Sequence, residues 1–189
     1  MRCFVAIDPP AGVRAAIAAV QGAVRAAAGA ADVRWVDPAA VHLTLKFLGE
    51  VAEGRTPAVV EALRMVGAGA CPLALAVGGV GAFPSPRRAR VVWIGVTAGA
   101  PGLALLATAV DRGLAGMGFV PEVRAFSGHL TIGRVRSAHG RLAAAIEGAA
   151  RDQIGTWTAR ELVLYRSHLR PAGAVHEVHA RLPLAVADA

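Results

Sequence analysis

The chain is short of cysteine and lysine, and both shortages narrow the classes of protein that it could be. Among its 189 residues it has two cysteines, Cys3 and Cys71, which form no CxxC pair. Two separated cysteines exclude a disulfide framework, so a reducing cytoplasm is the expected location. Lys46 is the single lysine, although the formal net charge is +7. The basic residues are therefore almost all arginine, whose planar guanidinium suits phosphate.

The positive charge alone does not identify a partner. A net charge of +7 favours an anionic ligand such as a nucleic acid. An excess of arginine over lysine, together with many alanines, is equally typical of coding bias in a GC-rich genome. Both explanations stay open, and a choice between them needs residues in a specific pattern.

Long hydrophobic segments are also missing in the form that a membrane requires. Two stretches carry no charge, Met65–Pro86 and Val91–Val110, and either is long enough to cross a bilayer. Prolines and glycines interrupt the first stretch, and a turn sequence at 97–102 breaks the second. No secretory signal is recognisable, because Asp8-Pro9 follows so soon after Arg2. We therefore expect no membrane partner.

One tetrapeptide occurs twice, as His42-Leu43-Thr44-Leu45 and as His129-Leu130-Thr131-Ile132. Alternate side chains of an extended segment point to opposite faces, so both copies predict strands that bury their aliphatic side chains. One imidazole and one hydroxyl then share the other face of each strand. A single copy would be explained by an ordinary histidine on a half-buried sheet. Packing does not require the same polar pair twice, so the matched copies indicate a site.

The segments around the two tetrapeptides also match in kind, which indicates an internal duplication. Each has a strand, a turn, an amphipathic helix, an aromatic residue, the HxT strand and another helix. We predict an α+β fold of two antiparallel-sheet and helix lobes, related by pseudo-twofold symmetry across a central cleft. No low-complexity linker separates the halves, so residues 1–189 are expected to form a single bilobal domain.

Two further local predictions concern the ends of the chain. Asp8-Pro9-Pro10 is expected to start the first helix, with Asp8 as its cap. Near the C-terminus, Ala159–Tyr165, a turn at Pro171-Ala172-Gly173 and Val175–Leu184 predict a hairpin.

Two histidines that face one cleft suit a reaction in which one proton is removed and another is delivered. Imidazole titrates near neutrality, so one ring can be neutral while the other is charged. The hydroxyls of Thr44 and Thr131 could donate to the non-bridging oxygens of a phosphoryl group, as could Arg134. Arg134 has the wrong parity for a regular strand and needs a twist or bulge to approach.

Other chemistries fit the residues less well. A zinc site needs three or four ligands, whereas each histidine here is paired with a threonine. The chain has no GxSxG nucleophile elbow and no P-loop. Lys46 shares the parity of His42 and could reach a phosphate, although a solvated lysine is the simpler interpretation. The cluster Arg87-Arg88-Ala89-Arg90 could likewise bind an anion or form a solvated edge.

Taken together, these residues resemble the 2H phosphoesterases, which carry two HxT elements in a duplicated α+β fold. The resemblance is strongest to the bacterial RNA 2′,3′-cyclic phosphodiesterases, also described as 2′-5′ RNA ligases. The resemblance extends over nearly the whole chain, in the segments Arg2–Ile7, His42–Gly49, Gly81–Pro84, Arg90–Gly95, His129–Arg134 and Leu164–Ser167.

The resemblance implies that a 2′,3′-cyclic phosphate at an RNA 3′ end is opened by water to a 2′-phosphate, without metal or cofactor. It implies that His42 donates a proton to the leaving 3′-oxygen and that His129 activates the water. Thr44 and Thr131 would hold the phosphate oxygens. The expected partner is RNA, with tRNA fragments as one candidate, and the expected state is a monomer.

The sequence departs from that family at two positions, and three alternatives stay open. Gly128 stands where many relatives have proline, and His176 where relatives often have tyrosine, which puts a stacking contact there in doubt. The alternatives are 2′-5′ ligation, another cyclic nucleotide as substrate, and a module that binds RNA ends without turnover. Symmetry in the sequence does not decide which histidine is the proton donor.

Overall fold

The structure is a computed structural model that describes residues 1–137, 140–150, 153–170 and 173–185. The helices are α1 (Ala11–Ala28), α2 (Thr56–Ala68), α3 (Ala100–Ala115) and α4 (Gly140–Gly148). The strands are β1 (Arg2–Ile7), β2 (Asp32–Trp35), β3 (Leu43–Glu50), β4 (Leu73–Phe83), β5 (Val91–Ala98), β6 (His129–Ser137), β7 (Gln153–Ala159), β8 (Glu161–Arg170) and β9 (Gly173–Pro183). Within these segments, no helix is long and apolar enough to span a bilayer.

The strands form an antiparallel sheet in the order β7-β4-β5-β6-β3-β1-β8-β9, and β2 pairs with β6. A single residue pair, Leu43 opposite Leu130, joins β3 to β6. This narrow junction divides the sheet into a first lobe, with β3, β1, β8 and β9, and a second lobe, with β7, β4, β5, β6 and β2. Helices α2 and α3 pack on the first lobe, and α1 and α4 pack on the second. The predicted α+β duplicated bilobal fold is confirmed.

The two HxT strands are held by their aliphatic side chains, as their alternation predicts. Leu43, Leu130 and Ile132 are fully buried, and Leu45 is nearly so. Burying each of these side chains stabilises the fold by about 1.5–3 kcal/mol. The opposite face of both strands, which carries His42, Thr44, His129 and Thr131, is called the cleft face below.

A β-bulge follows the threonine of the first HxT strand. The partner of β3 on β1 changes from Ala6 opposite Thr44 to Val5 opposite Lys46, so Leu45 is an extra residue. An extra residue reverses the facing of every side chain that follows it. The interpretation of Lys46 as a solvated or phosphate-binding residue is therefore wrong. Lys46 is buried, and its ammonium binds Asp111 of α3 and the Val120 carbonyl at 2.8 Å.

The second HxT strand has a bulge at the matching position. The partner of β6 on β5 changes from Trp93 opposite Thr131 to Val92 opposite Gly133, so Ile132 is the extra residue. The duplication thus extends from the motif to the irregularity beside it. In each lobe the side chains of the HxT strand therefore exchange faces of the sheet directly after the threonine.

The two predictions for the ends of the chain have different outcomes. The C-terminal hairpin is present as β8 and β9, which pair from Glu161 opposite Pro183 onward. Of the predicted turn, Pro171-Ala172 lies outside the described residues. Asp8 does not cap the first helix, because the residue at the N-cap is Pro10 and no side chain bonds there. The carboxylate of Asp8 has other partners, described below.

Two helical glycines give opposite expectations for substitution by alanine. A Cβ on Gly67 of α2 would lie 2.4 Å from the Pro183 carbonyl oxygen, whereas a Cβ on Gly22 of α1 would meet nothing within 4 Å. Gly67→Ala should lower the free energy of unfolding by about 1–3 kcal/mol, because α2 must move away from β9. Gly22→Ala should raise it by about 0.5–1 kcal/mol through helix propensity. Urea unfolding of both variants checks this, and equal effects would contradict the close packing of α2 on β9.

Candidate active site

His42 and His129 come together because β3 and β6 pair where both strands begin. Each histidine immediately precedes one member of the junction pair, Leu43 and Leu130. Side chains placed diagonally across two antiparallel strands are about 7–8 Å apart at Cα. Because each histidine is next to this pair, the two imidazoles lie on the cleft face where the two half-sheets join.

The two imidazoles are held in the same way. Nδ1 of His42 lies 2.9 Å from the Ala40 carbonyl oxygen, and Nδ1 of His129 lies 2.8 Å from the Ser127 carbonyl oxygen. A carbonyl oxygen only accepts, so Nδ1 carries the proton and donates in both rings. Nε2 is then the basic nitrogen of each neutral imidazole. Both rings can therefore accept or return a proton at the same ring position.

Aromatic side chains fix the planes of both imidazoles. The ring of Phe4 stacks on His42 with centroids 4.7 Å apart, and the ring of Tyr165 lies 5.0 Å from Phe4 and 5.7 Å from His42. In the second lobe, Phe83 meets His129 edge to face at 5.0 Å. Such contacts restrict ring rotation, and each contributes on the order of 1 kcal/mol.

The environment of His42 disfavours its charged form. Burial is the main cause, and it lowers the pKa of His42 to about 4, although the bond to the Ala40 carbonyl opposes the shift. The charge that His176 carries when protonated lowers this pKa further, and the carboxylate of Asp8 raises it. The free protein thus holds His42 neutral near pH 7, with Nε2 able to take up a proton when a negative charge arrives.

Behind His42 lies a carboxylate network that sequence reasoning missed. The Tyr165 hydroxyl donates to the two carboxylate oxygens of Asp8, both at 2.8 Å, and Arg14 and Arg181 form ion pairs with Asp8 at 3.5 and 3.4 Å. Burial, followed by the bond to Asp8, raises the pKa of Tyr165 to about 12. The network locks the start of α1 against the first lobe. No local signal in the sequence pairs residues this far apart.

His176 of β9 also reaches the site, at the position where the sequence analysis left a stacking contact in doubt. Its ring lies edge-on to His42 at 5.3 Å and to Phe4 at 4.9 Å. Its Nδ1 is buried and has no hydrogen-bond partner within the part of the chain that the structure describes. Burial lowers the pKa of His176, and the positive charge of Arg134 lowers it further. Arg134 therefore acts across the cleft, from the second lobe to the first.

The bulge in β6 decides where Arg134 points. Trp93 is opposite Thr131 and Val91 is opposite Arg134. Because Val91 and Trp93 are two residues apart on one strand, they share a face, and so do their partners. Arg134 therefore lies on the cleft face with Thr131, which regular alternation would have prevented. Thr44 and Thr131 are both half-buried there.

Arg87 and Arg88, from the arginine cluster at 87–90, lie elsewhere. Arg87 and Arg88 belong to a short 3-10 turn that packs on α4, and Arg87 lines a small depression together with Glu147. This turn lies on the helix side of the second lobe. Across residues 1–137, 140–150, 153–170 and 173–185, no three His, Cys, Asp or Glu side chains converge as metal ligands would.

Comparison with known families matches both halves of the chain to one family. The profile of the LigT-like phosphoesterases matches residues 7–93 and again residues 94–176. A protein of Methanothermobacter thermautotrophicus named RNA 2′,3′-cyclic phosphodiesterase is 35% identical over 178 residues, which are 93% of this chain and 95% of that protein. A protein of the same name from Archaeoglobus fulgidus is 34% identical over 94% of this chain and 97% of its own length.

Solved structures show the same similarity in three dimensions. The crystal structure of TT0787 of Thermus thermophilus superposes with a TM-score of 0.84 at 27% identity, and the match covers 100% of both chains. E. coli LigT in complex with 3′-AMP superposes with a TM-score of 0.77 at 25% identity, over 97% of both chains.

The lowered pKa of His42 predicts how stability depends on pH. An unfolded histidine binds a proton near pH 6.5, whereas folded His42 does so only near 4. Between these values the unfolded chain holds more protons, so the free energy of unfolding decreases as pH falls. From about pH 7.5 to about pH 5 this loss should be about 2 kcal/mol.

The comparison variant is His42→Asn, which cannot titrate and keeps a donor for the Ala40 carbonyl. Urea unfolding at both pH values should show the extra loss in the unsubstituted protein alone. His176 is present in both proteins, so its own contribution cancels. The same pH dependence in both proteins would contradict the burial of a neutral His42.

Proposed function

The chain belongs to the LigT-like 2H phosphoesterases, and on that premise we propose that it is an RNA 2′,3′-cyclic phosphodiesterase that leaves a 2′-phosphate. The observation that supports this most is the meeting of two matched HxT strands, with Nδ1 of both histidines held by a carbonyl and both Nε2 atoms left for proton transfer. The names of the relatives give the substrate class.

Two proton transfers accompany the reaction. His129 accepts a proton from water at Nε2 while the water oxygen forms a bond to phosphorus. The bond between phosphorus and the 3′-oxygen breaks, and His42 donates a proton from Nε2 to that oxygen. The electron pair of the broken bond stays on the 3′-oxygen, and the 2′-oxygen keeps the phosphoryl group. Return of one proton from His129 and uptake of one by His42 complete the cycle.

The burial of His42 makes its protonation depend on the substrate. With a pKa of about 4 in the free protein, His42 is neutral at neutral pH. A phosphodiester anion beside the ring stabilises the imidazolium and raises this pKa. His42 therefore takes up its proton as substrate binds, which couples recognition of the anion to the readiness of the acid.

The hydroxyls of Thr44 and Thr131 and the guanidinium of Arg134 bind the non-bridging oxygens. All three side chains are on the cleft face with the histidines. Negative charge on these oxygens grows as water attacks, so donors that are already in position stabilise the transition state more than the ground state. The reaction as proposed needs no metal. We propose that the enzyme acts as a monomer on RNA ends in the cytoplasm, with tRNA fragments as one candidate substrate.

The reaction is tested with 2′,3′-cyclic AMP in ¹⁸O-labelled water. We expect 2′-AMP with one labelled oxygen in its phosphate, at a rate that EDTA does not change. Formation of 3′-AMP would contradict the assignment of the leaving oxygen, and loss of activity with EDTA would indicate a metal site. Binding of the nucleotide without any product would favour the module that holds RNA ends.

The roles of the two histidines are tested with a substrate whose 3′-oxygen is replaced by sulfur. A thiolate leaves without help from an acid, so the His42→Ala variant should be about 100- to 10,000-fold slower than the unsubstituted enzyme on the oxygen substrate but less than about tenfold slower on the sulfur substrate. His129→Ala should be slow on both. If His129→Ala and not His42→Ala regained activity on the sulfur substrate, the roles of proton donor and acceptor would be reversed. Near-full activity of both variants on the oxygen substrate would refute both roles.

A further inference from the structure

Two arginines lie directly opposite one another at the edge of the second lobe. In the pairing of β2 with β6, Arg34 is the partner of Arg134. Side chains of direct partners are about 4.5–5.5 Å apart at Cβ, and like charges in such positions destabilise a sheet. Unless an anion neutralises it, the pair opposes the pairing of the two strands.

The packing around Gly133 shows which face Arg34 occupies. A Cβ on Gly133 would lie 2.9 Å from Val33 and 3.2 Å from the Trp35 ring, because both side chains pack on the core beside it. Arg34 lies between these two residues and therefore points to the opposite face. That is the cleft face, which Arg134 also occupies.

No carboxylate neutralises the pair within the described segments. Salt bridges join Arg2, Arg14, Arg64, Arg166 and Arg181 to acidic side chains, but neither Arg34 nor Arg134 has such a partner there. The side chain of Asp37, near β2, accepts from the Ala39 amide at 2.9 Å. The positive charge of Arg134 remains strong enough to lower the pKa of His176 across the cleft.

The position of the pair relates it to the phosphate site. Because of the bulge, Thr131 and Arg134 pair with residues of β5 that are only two positions apart. The distance between Thr131 and Arg134 along the strand is therefore about 7 Å. This is of the order of one nucleotide step of a single strand. Strand β2 borders β6 from Gly133 onward, where β3 has already turned away. An RNA strand can therefore leave the reacting phosphate over Arg134 towards Arg34.

We propose that Arg34 binds the phosphodiester that precedes the terminal nucleotide, so that the preferred substrate is an oligonucleotide and not a mononucleotide. Arg134, whose guanidinium has five N–H donors, shares this phosphodiester with Arg34 and also donates to the reacting phosphate. This inference rests on the proposed function, since it adds a second phosphate position to the same site. Two guanidinium groups on adjacent strands can bind the two non-bridging oxygens of one phosphate, and that anion removes the repulsion between them.

The test compares kcat/KM on a short RNA with a 2′,3′-cyclic phosphate end and on 2′,3′-cyclic AMP. Arg34→Gln should lower the ratio of kcat/KM on the oligonucleotide to kcat/KM on 2′,3′-cyclic AMP about tenfold, through an increase in KM for the oligonucleotide. The slope of log kcat/KM against log salt for the oligonucleotide should become shallower by about 0.7, as expected for one lost phosphate contact. Arg34→Lys, which keeps the charge, should restore most of this slope.

Arg25→Gln is the matched control, because Arg25 is an exposed arginine on α1 and its loss changes the net charge equally. It should leave the ratio unchanged. An unchanged ratio in Arg34→Gln, or an equal loss on both substrates, would overturn the proposal. So would an equal effect of the two variants.

A binding measurement separates this proposal from the proposed function. If the unsubstituted protein turns over neither substrate, the proposed function fails. Fluorescence anisotropy with an oligonucleotide that ends in a phosphate still tests the arginine pair. Weaker binding by Arg34→Gln than by Arg25→Gln would support the pair, and equal binding by both variants would overturn it.

Discussion

The structure depends on the single backbone pairing between Leu43 and Leu130. It joins the two half-sheets, and it is where both HxT strands begin. Both leucines are fully buried, so apolar packing from both lobes fixes the register at this point. A slip of one residue in either strand would turn its histidine and threonine into the core. The position of His42 relative to His129 is thus a consequence of core packing, because each histidine immediately precedes one of the two buried leucines.

The duplicated lobes have diverged in what they present around this junction. After the bulge, the first HxT strand carries Phe47 opposite Phe4, and the second carries Arg134 opposite Val91. The first lobe therefore surrounds its histidine with aromatic rings and removes it from water. The second lobe places one cationic side chain, Arg134, at the position that matches Phe47. A symmetric backbone in this way supports an asymmetric site, with an apolar side and a positively charged side.

Burial of His42 has opposite effects on stability and on the proposed chemistry. Removing the imidazole from water lowers its pKa to about 4, which costs stability in acid. The same burial makes the protonation of His42 sensitive to an anion in the cleft. The network of Asp8 with Tyr165, Arg14 and Arg181 lies behind this ring and holds the strand and helix that surround it.

The sequence by itself determined the duplication, the α+β lobes and the pairing of each histidine with a threonine, because alternation along a strand is a local property that residue order records. The tertiary structure alone decided the facing of Lys46 and Arg134, since a bulge exists only where two strands are paired. It also decided that Asp8 bonds to Tyr165 instead of capping a helix, that His176 lies against His42, and that Arg34 faces Arg134. Each of these contacts joins residues from segments far apart in the chain, and their distance is set by docking and register, which no local pattern in the chain specifies.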